Sequence, residues 1–303
     1  MRWWRRFLAR GVFWRQFLRW AVLNVPAWIE PAVLSLWAGF FVLLWNTGRR
    51  SVMRNLKAIK PGSWAPINLL RAYRVFYNFA WTIDDNVRFQ ETRTIPDWEF
   101  IGIEHFDSLQ AHAGGAIILT AHMGSYDLGA HLFAETSSRR IVMVRAPEID
   151  PQTRAYEEGR IAGSESDALR IDFNTKAADL AFDLLHAVRS GELVAIQGDR
   201  VTPGIATLPA TLFGTPTRMP AGPFALAMAA RVPIYPLFVI RRGRRRYRLV
   251  TCSPITVERR GRDRDADLRR ALDAWIGELE TVIADSWYQW FHFEPIAPAE
   301  ESA

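Results

Sequence analysis

The residues at 122–127, HMGSYD, have the types and spacing of a general base with a carboxylate beside it. On one continuous helix, residues five apart lie roughly 140° from each other, so His122 and Asp127 can meet only if the chain turns between them. Gly124 permits the backbone angles of such a turn, and Ser125 is a favourable helix cap. A carboxylate that holds one imidazole nitrogen leaves the other to accept a proton. The spacing therefore predicts that Asp127 orients His122 for base catalysis.

The sequence on either side of this turn predicts a strand followed by a helix. The apolar run 116–121 has the length of a buried strand, and 127–135 has apolar residues at helical spacing. The same alternation of strands and helices continues to a last helix over 265–285. This pattern predicts an α/β fold with a mainly parallel central sheet flanked by helices.

Polar side chains follow three of the predicted strands. His122, Arg145 and the pair Asp199 and Arg200 each come directly after an apolar run of strand length. Sites in parallel sheets lie at the carboxyl ends of the strands, where the neighbouring ends share one edge. We therefore expect these residues to line a single cleft.

Composition excludes several classes of protein. With one cysteine, Cys252, an internal disulfide and a cysteine-based zinc site are excluded, and thiol catalysis is not expected. The other histidines lack the spacing of metal ligands, so no metal is expected. The net charge of +6 and the pI near 9.8 favour anionic partners such as lipid head groups, phosphates or an acidic carrier protein. A genomic base composition that favours arginine codons is the alternative explanation of this charge. Nucleic acid is not an expected partner, because no nucleic-acid-binding motif is present.

The first 50 residues are rich in tryptophan and arginine. Seven of the thirteen tryptophans lie there, interleaved with arginines, and an apolar run covers 31–45. Tryptophan rings and arginine heads both favour the bilayer interface. At about 1.5 Å per residue the run covers roughly 22 Å of a ~30 Å hydrocarbon core. We therefore expect residues 1–60 to form a membrane-anchoring helical segment, and 61–303 the catalytic domain. A buried helical hairpin is the alternative.

An ordered set of motifs resembles the lysophospholipid acyltransferase superfamily, and within it the bacterial lipid A acyltransferase branch. In chain order the motifs lie at 49–56, 101–106, 114–115, 122–127, 144–147, 198–200, 204, 212–214, 220 and 232–236. The order of the set is more specific than any one member. The lipid A branch usually has glutamate at the position of Asp127, whereas glycerolipid acyltransferases have aspartate, so the acceptor stays open.

The resemblance implies transfer of a fatty acyl group from a thioester, on acyl carrier protein or coenzyme A, to a hydroxyl or amine of a lipid or glycolipid. His122 of the HX4D motif would remove the acceptor's proton, and Asp127 would stabilise the imidazolium. Arg145 and the backbone N–H groups after His122 are candidates for holding the oxyanion, and Arg200 is a candidate phosphate partner. The residues expected to bind substrate are Arg145, Asp199, Arg200, Gly124, Phe213 and Gly214.

The resemblance also implies a location and leaves two alternatives open. No cofactor is expected, because the acyl thioester is a co-substrate. The expected location is the bacterial inner membrane, with the catalytic domain on its cytoplasmic face and against an anionic lipid surface. A lipid or thioester hydrolase would use the same dyad on water. A non-catalytic protein would instead bind lipid or the carrier protein at the membrane.

Two further features are expected to be structural. Asp84 and Asp85 are expected at a solvated helix end. The aromatic segment 287–293 matches the terminal segment of the lipid A branch only loosely and is expected to pack in the core.

Overall fold

In the computed structural model, four N-terminal helices are followed by alternating strands and helices. The structure describes residues 12–94, 96–136, 139–145, 168–173, 177–202 and 204–296. The tryptophans and arginines before residue 12, and residues 146–147 of the 144–147 motif, lie outside the described residues. The helices are α1 Val12–Asn24, α2 Glu30–Leu44, α3 Asn46–Ile59, α4 Ala65–Thr92, α5 Ile103–Ala111, α6 Tyr126–Thr136, α7 Ala177–Arg189, α8 Gly222–Ala230 and α9 Arg264–Ser286.

Most of the strands belong to one large sheet. The strands are β1 Asp97–Ile101, β2 Ala116–Thr120, β3 Ile141–Arg145, β4 Leu169–Phe173, β5 Leu193–Gln197, β6 Thr207–Leu212, β7 Thr215–Pro220, β8 Ile234–Gly243 and β9 Arg246–Thr251. Seven of them form a sheet in the order β1-β9-β8-β2-β5-β3-β4, in which every pair is parallel except the β8–β9 hairpin. β6 and β7 form a separate antiparallel hairpin. The predicted α/β fold with a mainly parallel sheet is confirmed.

Helices cover both faces of this sheet, and β2 is buried along its whole length. Because side chains alternate along a strand, Ile118 points to one face while Ile117 and Leu119 point to the other. Ile118 packs with Phe133 of α6, whereas Ile117 and Leu119 belong to the cluster that includes Trp275 of α9. Burial on both sides explains why the sequence of β2 is an unbroken apolar run.

The N-terminal helices pack against α4 with one face and expose large apolar side chains on the other. Ala38 of α2 and Leu56 of α3 are buried with Phe76 of α4, whereas Leu36 and Leu43 of α2 are exposed. Within the described ranges no single helix is long and apolar enough to cross a bilayer. α2 and α3 meet that criterion together, as a pair bent by 94°. From residue 12 onward, the structure thus shows no clear N-terminal membrane helix.

The prediction that Asp84 and Asp85 lie at a solvated helix end is wrong, because both are buried inside α4. Asp85 accepts hydrogen bonds from Arg241 Nε, at 2.8 Å, and from the hydroxyl of Tyr247. Asp84 lies 3.6 Å from Arg88, which forms an ion pair with Glu30 of α2 at 2.6 Å. Burial, with Glu30 close by, raises the pKa of Asp84 to about 8.

This raised pKa makes stability depend on pH. In the folded protein Asp84 holds its proton up to about pH 8, whereas an unfolded aspartate loses it near 3.8. The stability that the group contributes is therefore full below the unfolded pKa and is lost as pH rises towards 8. We expect Asp84→Asn to flatten the decline in unfolding free energy between pH 5 and 8, measured by urea denaturation. Asp107→Asn, at an exposed position of α5, is the control. An unchanged slope in Asp84→Asn would contradict the assignment.

Candidate active site

The turn after β2 is held by backbone contacts from two distant segments. Gly124 has a φ of +52°, and its N–H donates to the carbonyl of Gln289 at 2.9 Å. A Cβ at this position would lie 1.7 Å from the carbonyl oxygen of Val239. The carbonyl of His122 accepts the N–H of Phe291 at 2.8 Å. The predicted order of strand, turn and helix is confirmed, and the turn needs glycine for both its backbone angle and its close contact.

Asp199 holds the imidazole of His122. Nδ1 of His122 lies 2.7 Å from Oδ1 of Asp199, and the same oxygen accepts the backbone N–H of His122 at 3.0 Å. The other carboxylate oxygen accepts the indole N–H of Trp290 at 2.9 Å and lies 3.8 Å from Nδ1 of His292. With Nδ1 bonded to a carboxylate, Nε2 is the ring nitrogen left to accept a proton.

The charge state of Asp199 follows from its neighbours. Burial raises the pKa of Asp199, but the charges and hydrogen bonds of His122 and His292 outweigh burial and hold the pKa well below its ordinary value. The carboxylate is therefore ionised at neutral pH and can stabilise an imidazolium. Sheet register explains the meeting, because Thr120 at the end of β2 pairs with Gln197 at the end of β5. His122 and Asp199 each come two residues later.

Asp127 has a different partner from the one that its spacing predicts. Its Oδ1 accepts a hydrogen bond from Arg145 Nη2, and its Oδ2 lies 3.4 Å from Nδ2 of Asn86. In the described part of the chain, Asp127 and His122 share no hydrogen bond or ion pair, so the expected contact is not found. The reason is that Asp199 already occupies Nδ1, while Arg145 draws the carboxylate of Asp127 towards the end of β3.

The remaining predicted site residues divide into two groups. Arg200 Nη2 donates to the carbonyl of Phe291, which ties the loop after β5 to the C-terminal aromatic segment. Phe213 and Gly214 form the two-residue turn of the β6–β7 hairpin, with φ of 49° and 70°, and Phe213 N–H donates to Glu280 of α9. Within the described ranges, no hydrogen bond joins either turn residue to His122 or Asp199. The structure thus brings together His122, Gly124, Asp127, Arg145, Asp199 and Arg200.

The C-terminal aromatic segment packs in the core as expected, with Trp290 and Phe291 buried, but sequence reasoning missed its contacts with the site. Trp290 and His292 both face Asp199, and the side chain of Gln289 bonds the backbone N–H and carbonyl of Arg241, each at 2.7 Å. Trp290 is 91 residues from Asp199 in sequence. The loose match to the terminal segment of the lipid A branch was the one signal that could have placed these residues at the site.

The fold places these polar side chains at the carboxyl edge of a mainly parallel α/β sheet, which is where the sites of such sheets lie. The chain matches the family described as bacterial lipid A biosynthesis acyltransferase over residues 6–295, and it belongs to that family. A search of curated proteins found no match. Membership confirms the resemblance drawn from the motifs and implies acyltransferase activity with an acyl donor and a lipid acceptor.

Proposed function

We propose that the protein transfers a fatty acyl group from a thioester to a hydroxyl or amine of a lipid A precursor, with His122 as the general base. The observation that supports this most strongly is the bond of 2.7 Å between His122 Nδ1 and Asp199. The side chain of His122 is 23% exposed and that of Asp199 is 0% exposed. A substrate can therefore reach the base, while its carboxylate partner stays shielded from water.

The proposed transfer proceeds in two steps. Nε2 of His122 takes the proton of the acceptor hydroxyl while the acceptor oxygen attacks the thioester carbonyl, whose electron pair moves to its own oxygen. The tetrahedral intermediate then expels the thiolate, which takes the proton from the imidazolium. Between the steps the ionised Asp199 stabilises His122. Burial raises the pKa of Cys252 to about 12, so its thiol stays protonated, and we assign Cys252 no role as a nucleophile.

We assign the ion pair of Asp127 and Arg145 to substrate binding. The pair lies beside the base, at the first turn of α6 and the end of β3. A guanidinium fixed by a carboxylate is well placed to bind a phosphate. Arg200 has a buried Nε without a hydrogen-bond partner in the described ranges, which suits contact with a bound phosphate.

We favour acyl carrier protein over coenzyme A as the donor. β8 runs parallel to β2 and continues past its end, so the β8–β9 turn projects from the edge that carries the site. The exposed basic residues at this turn are Arg242, Arg244, Arg245 and Arg246. Such a tip is complementary to an acidic carrier protein.

The function is tested by incubating the full-length protein with acyl carrier protein or coenzyme A thioesters and a lipid A precursor. Mass spectrometry then measures acylated lipid and free fatty acid, with a glycerolipid as a second acceptor. We expect acylated lipid A precursor. Release of fatty acid without an acylated lipid would indicate a hydrolase, and an unchanged thioester would indicate a non-catalytic binder.

We place the protein at the surface of the inner membrane, on the cytoplasmic side, where the thioester donors are. The N-terminal helices carry the exposed apolar side chains Leu36 and Leu43, at 76% and 73% exposure. A fully buried leucine gains about 1.5–3 kcal/mol over an exposed one. We expect the double variant Leu36→Ser with Leu43→Ser to bind anionic vesicles at least about tenfold more weakly in sedimentation. Phe182→Ser, on α7 at 72% exposure, is the control. Equal losses in both would contradict the assignment.

A further inference from the structure

Two buried polar atoms next to the His122–Asp199 pair have no hydrogen-bond partner in the described ranges. They are Oγ1 of Thr120 and Nε2 of Gln197. Thr120 is 7% exposed, so its hydroxyl has little access to bulk solvent. Buried polar groups in native proteins are nearly always paired, and an unpaired one needs an explanation. A bound substrate is one such explanation when the atoms lie beside a catalytic base.

Sheet geometry places these two atoms together and close to the base. Thr120 and Gln197 are partners in the parallel register of β2 and β5. His122 and Asp199 follow these partners by two residues, just past the ends of β2 and β5. Hence Thr120 and Gln197 lie two residues before the bonded imidazole and carboxylate, on the strands that lead into the site.

Both side chains line a cavity between the sheet and α6. Its walls are apolar, with Ile118 on β2, Met143 on β3 and Phe133 on α6 among them. No charged side chain lines this cavity within the described part of the chain. Its polar lining residues are Thr120, Gln197 and Tyr126, the last at the start of α6. Such a lining fits a ligand with one hydrogen-bond acceptor joined to hydrocarbon.

The hydroxyl of Tyr126 accounts for at most one N–H of the Gln197 amide. The charge of Asp127, together with burial, raises the pKa of Tyr126 to about 12, so the phenol is neutral at physiological pH. A hydrogen-bond-like contact with the Gln197 amide lowers this pKa, although Nε2 lies outside the geometry of a full hydrogen bond. An amide nitrogen carries two N–H donors, so at least one is left for a ligand in this cavity.

We propose that Thr120 Oγ1 and Gln197 Nε2 bind the carbonyl oxygen of the acyl donor, with the first methylenes of its chain in the apolar cavity. This inference rests on the proposed acyl transfer. When the acceptor oxygen attacks, the carbonyl electron pair moves to the carbonyl oxygen, and the two donors hold that oxyanion until the thiolate leaves with the proton from His122. Donors fixed in a site that excludes water stabilise such an oxyanion strongly, by about 10²–10³ in rate for each donor.

The first test compares isosteric variants of the two donors. Thr120→Val removes the hydroxyl and keeps the shape, and Thr120→Ser keeps the hydroxyl. Gln197→Met removes the amide at similar length. We expect kcat to fall about 10²-fold or more in Thr120→Val and Gln197→Met, with the acceptor KM unchanged, and to recover largely in Thr120→Ser. Because an unpaired polar atom is removed, urea stability should be equal or higher. A merely structural role would lower stability instead.

A second test measures binding without turnover. A ketone analogue of the thioester, in which methylene replaces sulfur, keeps the carbonyl, whereas an alkyl thioether lacks it. The wild-type protein should bind the ketone at least about tenfold more tightly than the thioether, and Thr120→Val with Gln197→Met should abolish that preference. Wild-type kcat in Thr120→Val, or a preserved preference in the double variant, would overturn the inference alone. An inactive wild-type protein that binds both analogues equally would overturn the proposed function and this inference together.

Discussion

The His122→Ala variant is expected to lose acyl transfer by about 10²–10⁴-fold while staying folded and bound to membranes. General-base catalysis contributes a factor of this size. The fold should survive because Asp199 keeps its bonds to the backbone N–H of residue 122 and to Trp290. The rate of lipid acylation measures activity, and circular dichroism measures folding. His105→Ala, which removes an imidazole of similar exposure from α5, is the control. Wild-type rates in His122→Ala would refute the mechanism.

Two carboxylates compete for the role of orienting this base, and the same assay separates them. The HX4D spacing favours Asp127, whereas the structure puts Asp199 on Nδ1. An asparagine at 199 can donate to Nδ1 and so favours the wrong tautomer of His122. We therefore expect Asp199→Asn to reduce kcat more than Asp127→Asn does. The opposite order would return the orienting role to Asp127.

The Gly124→Ala variant is expected to have the largest effect on stability. Its Cβ would lie 1.7 Å from the carbonyl oxygen of Val239, at a φ of +52°. The backbone angle alone costs about 1–3 kcal/mol, and the displaced Val239 carbonyl adds to this. A shift of about 1 Å at His122 would also lower kcat by about 10²-fold. Urea denaturation and the acylation assay measure both effects.

A matched glycine separates the backbone angle from the steric contact. Gly62 has a φ of +76°, but no atom lies within 4 Å of a Cβ built there. Gly62→Ala should therefore show the cost of the angle alone, and it should leave kcat unchanged. If the two variants lose the same unfolding free energy, the close approach to Val239 is not what makes glycine necessary at 124.

The elements around the site were predictable because their sequences are unambiguous. The run predicted as a strand over 116–121 is β2 at Ala116–Thr120, and the helix predicted over 265–285 is α9 at Arg264–Ser286. The β6–β7 hairpin was missed because Pro209 and Pro216 lie inside its strands, where proline argues against a strand. β4 was missed because its short sequence carries Arg170 and Asp172, charges that a strand at the edge of a sheet tolerates.

The residue types of the site were predictable, but the pairing between them was not. Sequence spacing predicts contacts between residues that are one or two turns apart. On that basis it predicted that Asp127 is the carboxylate that orients His122. The observed partner of His122 is 77 residues away and is placed by the register of β2 against β5. The indole of Trp290 reaches the same carboxylate across 91 residues. Such contacts depend on the whole sheet and on the course of the chain over it.

The long separations within the site have a consequence for how activity is acquired. The base, its carboxylate and the indole come from chain segments that meet only when the sheet has its final strand order and the aromatic segment has docked on it. A partly folded chain therefore has no ordered base that could hydrolyse the thioester. In a refolding experiment, turnover should return last, after the far-ultraviolet signal of the helices has already recovered.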